Sequence, residues 1–137
     1  MPDEFYTLSG YERLAPDELS PAMEDYLEMI CRCTKRDGFA RVNTLAKYLH
    51  VAPSSSSKMV QKLRQLGLVE ALPYGVVRPT EKGRLAGEYL LYRHELLCKF
   101  FCRLNGTANE LEQVEKIEHF ISQITVQSIA QWLESHP

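Results

Sequence analysis

The sequence predicts a mainly α-helical protein carrying one small β-hairpin, with short elements in its N-terminal half and an all-helical C-terminal half. Three observations carry this expectation. Between Asn43 and Gly67, two short amphipathic stretches flank the break "HVAPS". Directly afterwards, "LVEAL" and "VVRPT" bracket the turn-forming "PYG", the pattern of a hairpin. From Thr80 a helical pattern then continues to Asn105-Gly106. At about 1.5 Å per residue, such a helix is too long for one small domain to cover alone.

Each element has a local reason. Residues 1–19 hold Phe5, Tyr6 and Tyr11 among acids and turn formers and read as an irregular arm. A helix should begin at Ser20, whose hydroxyl suits a cap, with Pro21 in the first turn and Glu24 favoured by the positive end of the helix dipole. Met23, Tyr26, Leu27, Ile30 and Cys31 keep helical spacing until "KRDG", where Gly38 ends the helix. Asn43 is the expected cap of the next helix, which carries Leu45, Ala46 and Leu49. Ser54 is the expected cap of the following one, with Met59, Val60, Leu63 and Leu66 on one arc and Gly67 closing it. With the hairpin, these form a winged helix-turn-helix over 20–80. Thr80 caps the long helix, and residues 81–137 form a helical domain. The apolar excess of that helix (Leu85, Leu90, Leu91, Leu96, Leu97, Phe100, Phe101) calls for a partner, which a symmetric homodimer supplies most simply.

The formal charge of −2 hides a strong asymmetry. Residues 1–31 set one base against eight acids, 32–84 eleven bases against three acids, and 85–137 four bases against seven acids. A basic module between acidic ones is the footprint of a phosphate-binding segment. No apolar run approaches the roughly 20 residues that span a bilayer. The acidic start lacks the pattern of a signal peptide, so the expected location is the cytoplasm, with no membrane partner. Cys31, Cys33, Cys98 and Cys102 show no C-x-x-C spacing and read as reduced thiols. His94, Cys98 and Cys102 do recur every four residues, but Leu90, Leu97 and Phe101 share that helix, and burial explains the stripe as well.

The second helix of the helix-turn-helix leaves Ser57, Lys58 and Gln61 opposite its Met59/Leu63/Leu66 stripe, with Ser55 and Lys62 at the flanks. Hydroxyl, amide and ammonium groups bond phosphates and base edges in a major groove, and Gln suits adenine. In the wing, Arg78 is placed for the DNA backbone or minor groove. The expected partner is double-stranded operator DNA; a winged helix used for protein contact is the plainer alternative.

Two acid clusters remain. Asp25 and Glu28 lie three apart on the first helix, and "VEKIEHF" supplies Glu115, Glu118 and His119 at i, i+3 and i+4, expected on one face of a single helical turn. With His94, the chain offers four carboxylates and two imidazoles, enough for a pair of divalent ions sharing carboxylates. Oxygen donors with some imidazole suit manganese or ferrous iron better than copper or structural zinc. Either acid pair alone is more often a solvated helix face.

"SPAMEDYLEMI", "PSSSSKMVQKL", "PTEKG", "YRHELL" and "VEKIEH" resemble, in that order, the manganese transport regulator branch of the diphtheria toxin repressor family, over nearly everything from Ser20 onward. The resemblance implies a homodimeric, metal-activated winged-helix repressor controlling manganese uptake, with a binuclear site between a DNA-binding domain and a helical dimerisation domain. Carried over residue by residue, the ligands are Asp25, Glu28, His94, Glu115, Glu118 and His119. The expected cofactor is Mn2+, a pair per subunit, with Fe2+, Co2+, Cd2+ or Zn2+ as substitutes. The iron-responsive branch has methionine at the position of Asp25 and cysteine at that of Glu115, so the oxygens here favour manganese. The chain departs from the pattern in its arm and in Ser56, where a more apolar residue would suit the helix arc, and it lacks the third domain some relatives carry. An iron-responsive repressor of the same family is the nearer alternative. A di-metal carboxylate enzyme is the more distant one, disfavoured because no nucleophile or extra acid-base group is evident; neither catalysis nor a small-molecule substrate is expected.

Overall fold

The computed structural model describes residues 19–137. The arm expected over 1–19 therefore lies outside the described residues, apart from Leu19. The chain divides at Tyr89/Leu90 into two compact units, and the boundary falls inside one helix.

The first unit opens with α1 (Pro21–Asp37), where Ser20 accepts a hydrogen bond from the Met23 amide and Gly38 closes the helix at φ 87°. Strand β1 (Ala40–Arg41) leads into α2 (Val42–Leu49), and α3 (Pro53–Gln65) follows. Strands β2 (Val69–Leu72) and β3 (Val76–Pro79) flank a single 3-10 turn, Pro73–Gly75. The sheet is antiparallel in the order β1-β3-β2, pairing Ala40 with Val77 and Glu70 with Arg78. Leu27, Ile30, Leu45, Leu63, Leu68 and Val77 are fully buried.

The expected hairpin is present and gains a strand, and two expected caps need correction. The wing is part of a three-stranded sheet, because two residues before α2 pair with β3. Arg41, still extended from β1, occupies the N-cap of α2 in place of Asn43, and makes no side-chain capping bond. Ala52 occupies the N-cap of α3 in place of Ser54, because Pro53 takes the first helical position, where its missing N–H costs least. The α3 end is as expected in kind: Gly67 bonds the Arg64 carbonyl at 2.9 Å, and Leu68 the Leu63 carbonyl at 3.0 Å, a Schellman closure.

Helix α4 (Glu81–Asn105) starts on Thr80, whose Oγ1 accepts from the Gly83 amide at 3.1 Å. Its first turns pack closely on the residue before β2 and on α1: a Cβ on Gly83 would overlap the Leu68 carbonyl, and one on Gly87 would overlap Cys31 Sγ. The second unit holds the rest of α4, then α5 (Leu111–Ile117), a 3-10 turn at Glu118–Phe120, and α6 (Gln123–Ser135) capped by Ser122. Leu97, Val114 and Val126 are fully buried, and Phe100 meets Trp132 edge-on at 5.3 Å between centroids. Phe120 and Ile124 remain 77% and 76% exposed.

Candidate metal centre and nucleic-acid interface

The outer face of α3 is built by what its inner face buries. Val60 and Leu63 turn inward with Ser56, which is 0% exposed and donates to the Val42 carbonyl at 3.0 Å. That bond explains how a hydroxyl sits at an apolar position: it ties α3 to the start of α2 and satisfies the Ser56 hydroxyl as a donor. Ser55, Ser57, Lys58, Gln61 and Lys62 are all exposed. Arg64, also exposed, donates to the Gln61 amide oxygen at 3.4 Å. In the wing Arg78 is exposed, but its cross-strand partner is Glu70, whose side chain shares its face and offsets its charge. Arg41, passed over in the sequence reading, is exposed on β1; its guanidinium lies 5.2 Å from the Phe39 ring centroid and donates to the Tyr74 carbonyl at 3.2 Å.

The candidate metal donors fall in both units and are described within each. In the first, Asp25 and Glu28 stand on α1, and Glu28 is buried with Oε1 3.7 Å from the Arg32 guanidinium. In the second, His94 Nδ1 lies 2.7 Å from Glu118 Oε2, and Glu118 is 3% exposed. His94 Nε2 is 3.8 Å from Cys98 Sγ, and His119 Nδ1 is 3.4 Å from the Arg93 guanidinium. Glu115 is exposed. The single regular turn expected for Glu115, Glu118 and His119 is not what forms: α5 stops at Ile117, and the chain tightens into a 3-10 turn that buries Glu118 while Glu115 stays outside. Arg93 is buried beside these groups and was missed, although it stands in the quoted "YRHELL".

The His94–Glu118 pair fits a divalent ion. Neighbouring ligands with bonds of about 2.1 Å at right angles sit about 3 Å apart, close to this spacing, and both donors are a hard oxygen and an imidazole nitrogen. The thiols fit less well. Burial pushes the Cys31 thiol up to about 12 and raises Cys33, so neither readily becomes a thiolate ligand.

A winged helix-turn-helix with a polar recognition face, followed by a helical unit that sets an imidazole against a buried carboxylate, defines a DNA-binding protein with metal-binding chemistry. Comparison with known families agrees. Residues 18–77 match the N-terminal DNA binding domain of the iron dependent repressor, and residues 80–136 match that repressor's metal binding and dimerisation domain. The chain belongs to the iron-dependent repressor family. It is 45% identical to the HTH-type transcriptional regulator MntR of Geobacillus kaustophilus, over 75% of this chain and 74% of that protein. It is 40% identical to the MntR of Lysinibacillus sphaericus, over 86% and 88% of the two chains. Among solved structures, the manganese regulator SloR superposes with a TM-score of 0.73 at 26% identity, covering 85% of this chain; the chain spans 55% of that structure's length.

Proposed function

We infer that this protein is a manganese-responsive, DNA-binding transcriptional regulator, a homodimer acting in the cytoplasm and repressing genes for manganese uptake. The observation that carries the reading is the His94–Glu118 pair, a half-buried imidazole nitrogen and a buried carboxylate oxygen 2.7 Å apart, in a chain whose α3 presents a polar, basic face. Relatives named MntR and the manganese regulator SloR support manganese as the ion. The described residues contain no helix long and apolar enough to cross a membrane.

The proposed ligands are Asp25 and Glu28 on α1, His94 on α4, and Glu115, Glu118 and His119 around the end of α5, holding a pair of Mn2+ ions, with Fe2+, Co2+, Cd2+ or Zn2+ as substitutes. Bound Mn2+ supplies positive charge and directional bonds to oxygen and imidazole. The carboxylates repel one another without that charge, so the metal-free dimer samples many spacings of its paired α3 helices. A duplex accepts only those with recognition helices about one helical turn, 34 Å, or a multiple of a turn apart. Metal therefore raises DNA affinity by selecting arrangements already sampled. On α3, Ser55, Ser57, Lys58, Gln61 and Lys62 contact the major groove, and Arg78 the backbone. The apolar Phe120 and Ile124 are the surface a second copy would cover.

The test is a mobility-shift titration at fixed salt with a duplex selected from a random pool by the manganese-saturated protein. Affinity should fall sharply when a chelator replaces manganese. Equal affinity in both conditions rules the reading out.

A further inference from the structure

Arg93 is a buried charge that the proposed ligand set does not use. It is 3% exposed and stands one residue before His94 on α4. Two consecutive residues of that helix meet two consecutive residues of the 3-10 turn: His94 lies against Glu118, and Arg93 Nη2 lies 3.4 Å from His119 Nδ1. The second contact has only one possible sense. A guanidinium has five N–H donors, no acceptor and no accessible neutral form, so Arg93 donates and Nδ1 accepts. An imidazolium could not accept, so the His119 ring is neutral, with its one proton on Nε2 and its one lone pair given to Arg93.

A divalent ion needs that same lone pair. An ion bonded to Nδ1 takes the place of the guanidinium, and an ion bonded to Nε2 leaves the ring proton on Nδ1, which can then no longer accept from Arg93. The Arg93 contact and a metal bond to His119 therefore exclude each other at either nitrogen. We propose that Arg93 is a built-in rival for the metal at His119, a positioning residue that holds the ring out of the ligand set and raises the metal concentration needed to recruit it. The proposal rests on the reading that His119 is a ligand, and deepens it by naming the group that sets the threshold. Because the guanidinium keeps its charge, it also repels an arriving cation, and burial strengthens that repulsion.

Manganese calorimetry on Arg93→Met, alone and combined with His119→Ala, tests this. Met keeps much of the stem and supplies no donor, and thermal melting in chelator verifies that each variant folds. Arg93→Met should bind manganese about tenfold more tightly, the equivalent of one charge-assisted hydrogen bond no longer given up, and should need correspondingly less manganese to shift the selected duplex. In the His119→Ala background that gain should vanish, because the contested lone pair is gone. The wild type supplies a check that needs no variant: NMR of the ring nitrogens, with diamagnetic Cd2+ as the probe. Without metal, His119 should carry its proton on Nε2 and accept at Nδ1, and saturating Cd2+ should abolish the hydrogen bond from Arg93. Unchanged or weaker manganese binding by Arg93→Met, a gain that survives His119→Ala, or an Arg93 hydrogen bond that persists in the Cd2+-saturated protein overturns the proposal and leaves the regulator reading intact. A wild-type protein that binds no manganese sinks both.

Discussion

Glu118 concentrates the chemistry of the second unit in one carboxylate, buried and 2.7 Å from His94 Nδ1. Glu118→Gln preserves shape but removes the charge that would face a divalent ion, and manganese affinity measured by calorimetry should fall at least about tenfold. Unchanged affinity would remove Glu118 from the ligand set. Cys31 offers an independent check on the first unit. Its thiol is raised from 9.0 to about 12, chiefly by burial, so the folded protein keeps a proton that the unfolded chain loses above pH 9. Stability from this group is complete below pH 9 and is lost as pH climbs from 9 toward 12. Urea midpoints of the wild type and Cys31→Ala should therefore converge over that range, and parallel profiles would contradict the assignment. Ser56 was legible only as a misfit on its helix arc; its meaning lay in the Val42 carbonyl, a partner fourteen residues away in sequence.

The helices show how far local chemistry reaches. Ser20, Gly38, Thr80 and Gly106 terminate helices as their side chains or glycine backbones suggest. Asn43 and Ser54 look like equally good caps but lost to neighbours, one to a strand that extends to Arg41 and the other to Pro53. Strand β1 could not be seen because two residues carry no periodicity; only pairing with β3 makes them a strand. The start of α4 was readable as a helix, but its closeness to β2 was not. Gly83→Ala should force that helix off the Leu68 carbonyl and cost more than about 2 kcal/mol in urea denaturation, since the clash is with backbone. Wild-type stability in that variant would mean the approach is looser than described.

For the whole molecule, the prediction concerns selectivity. If oxygen donors at both positions set the preference for manganese, Asp25→Met combined with Glu115→Cys should move activation of DNA binding toward iron or cobalt, assayed with the selected duplex across a series of divalent ions at constant salt. An unchanged order of metals would show that selectivity is set elsewhere. Glu115 makes this a demanding test, because it is exposed where Glu118 is buried, and the two were expected side by side on one regular turn.

Taken alone, the amino-acid order determined the element types, the polar face of α3, the hard-donor character of the acid clusters and the family, since these depend on spacing and residue chemistry within a few turns of chain. Tertiary structure decided the third strand, the side of the 3-10 turn on which Glu118 is buried, the partner of Ser56 and the exposed, left-handed Tyr74. Those outcomes depend on which distant backbone atoms come within hydrogen-bonding distance, or on how a turn is twisted by the strands it joins, and no local pattern encodes either.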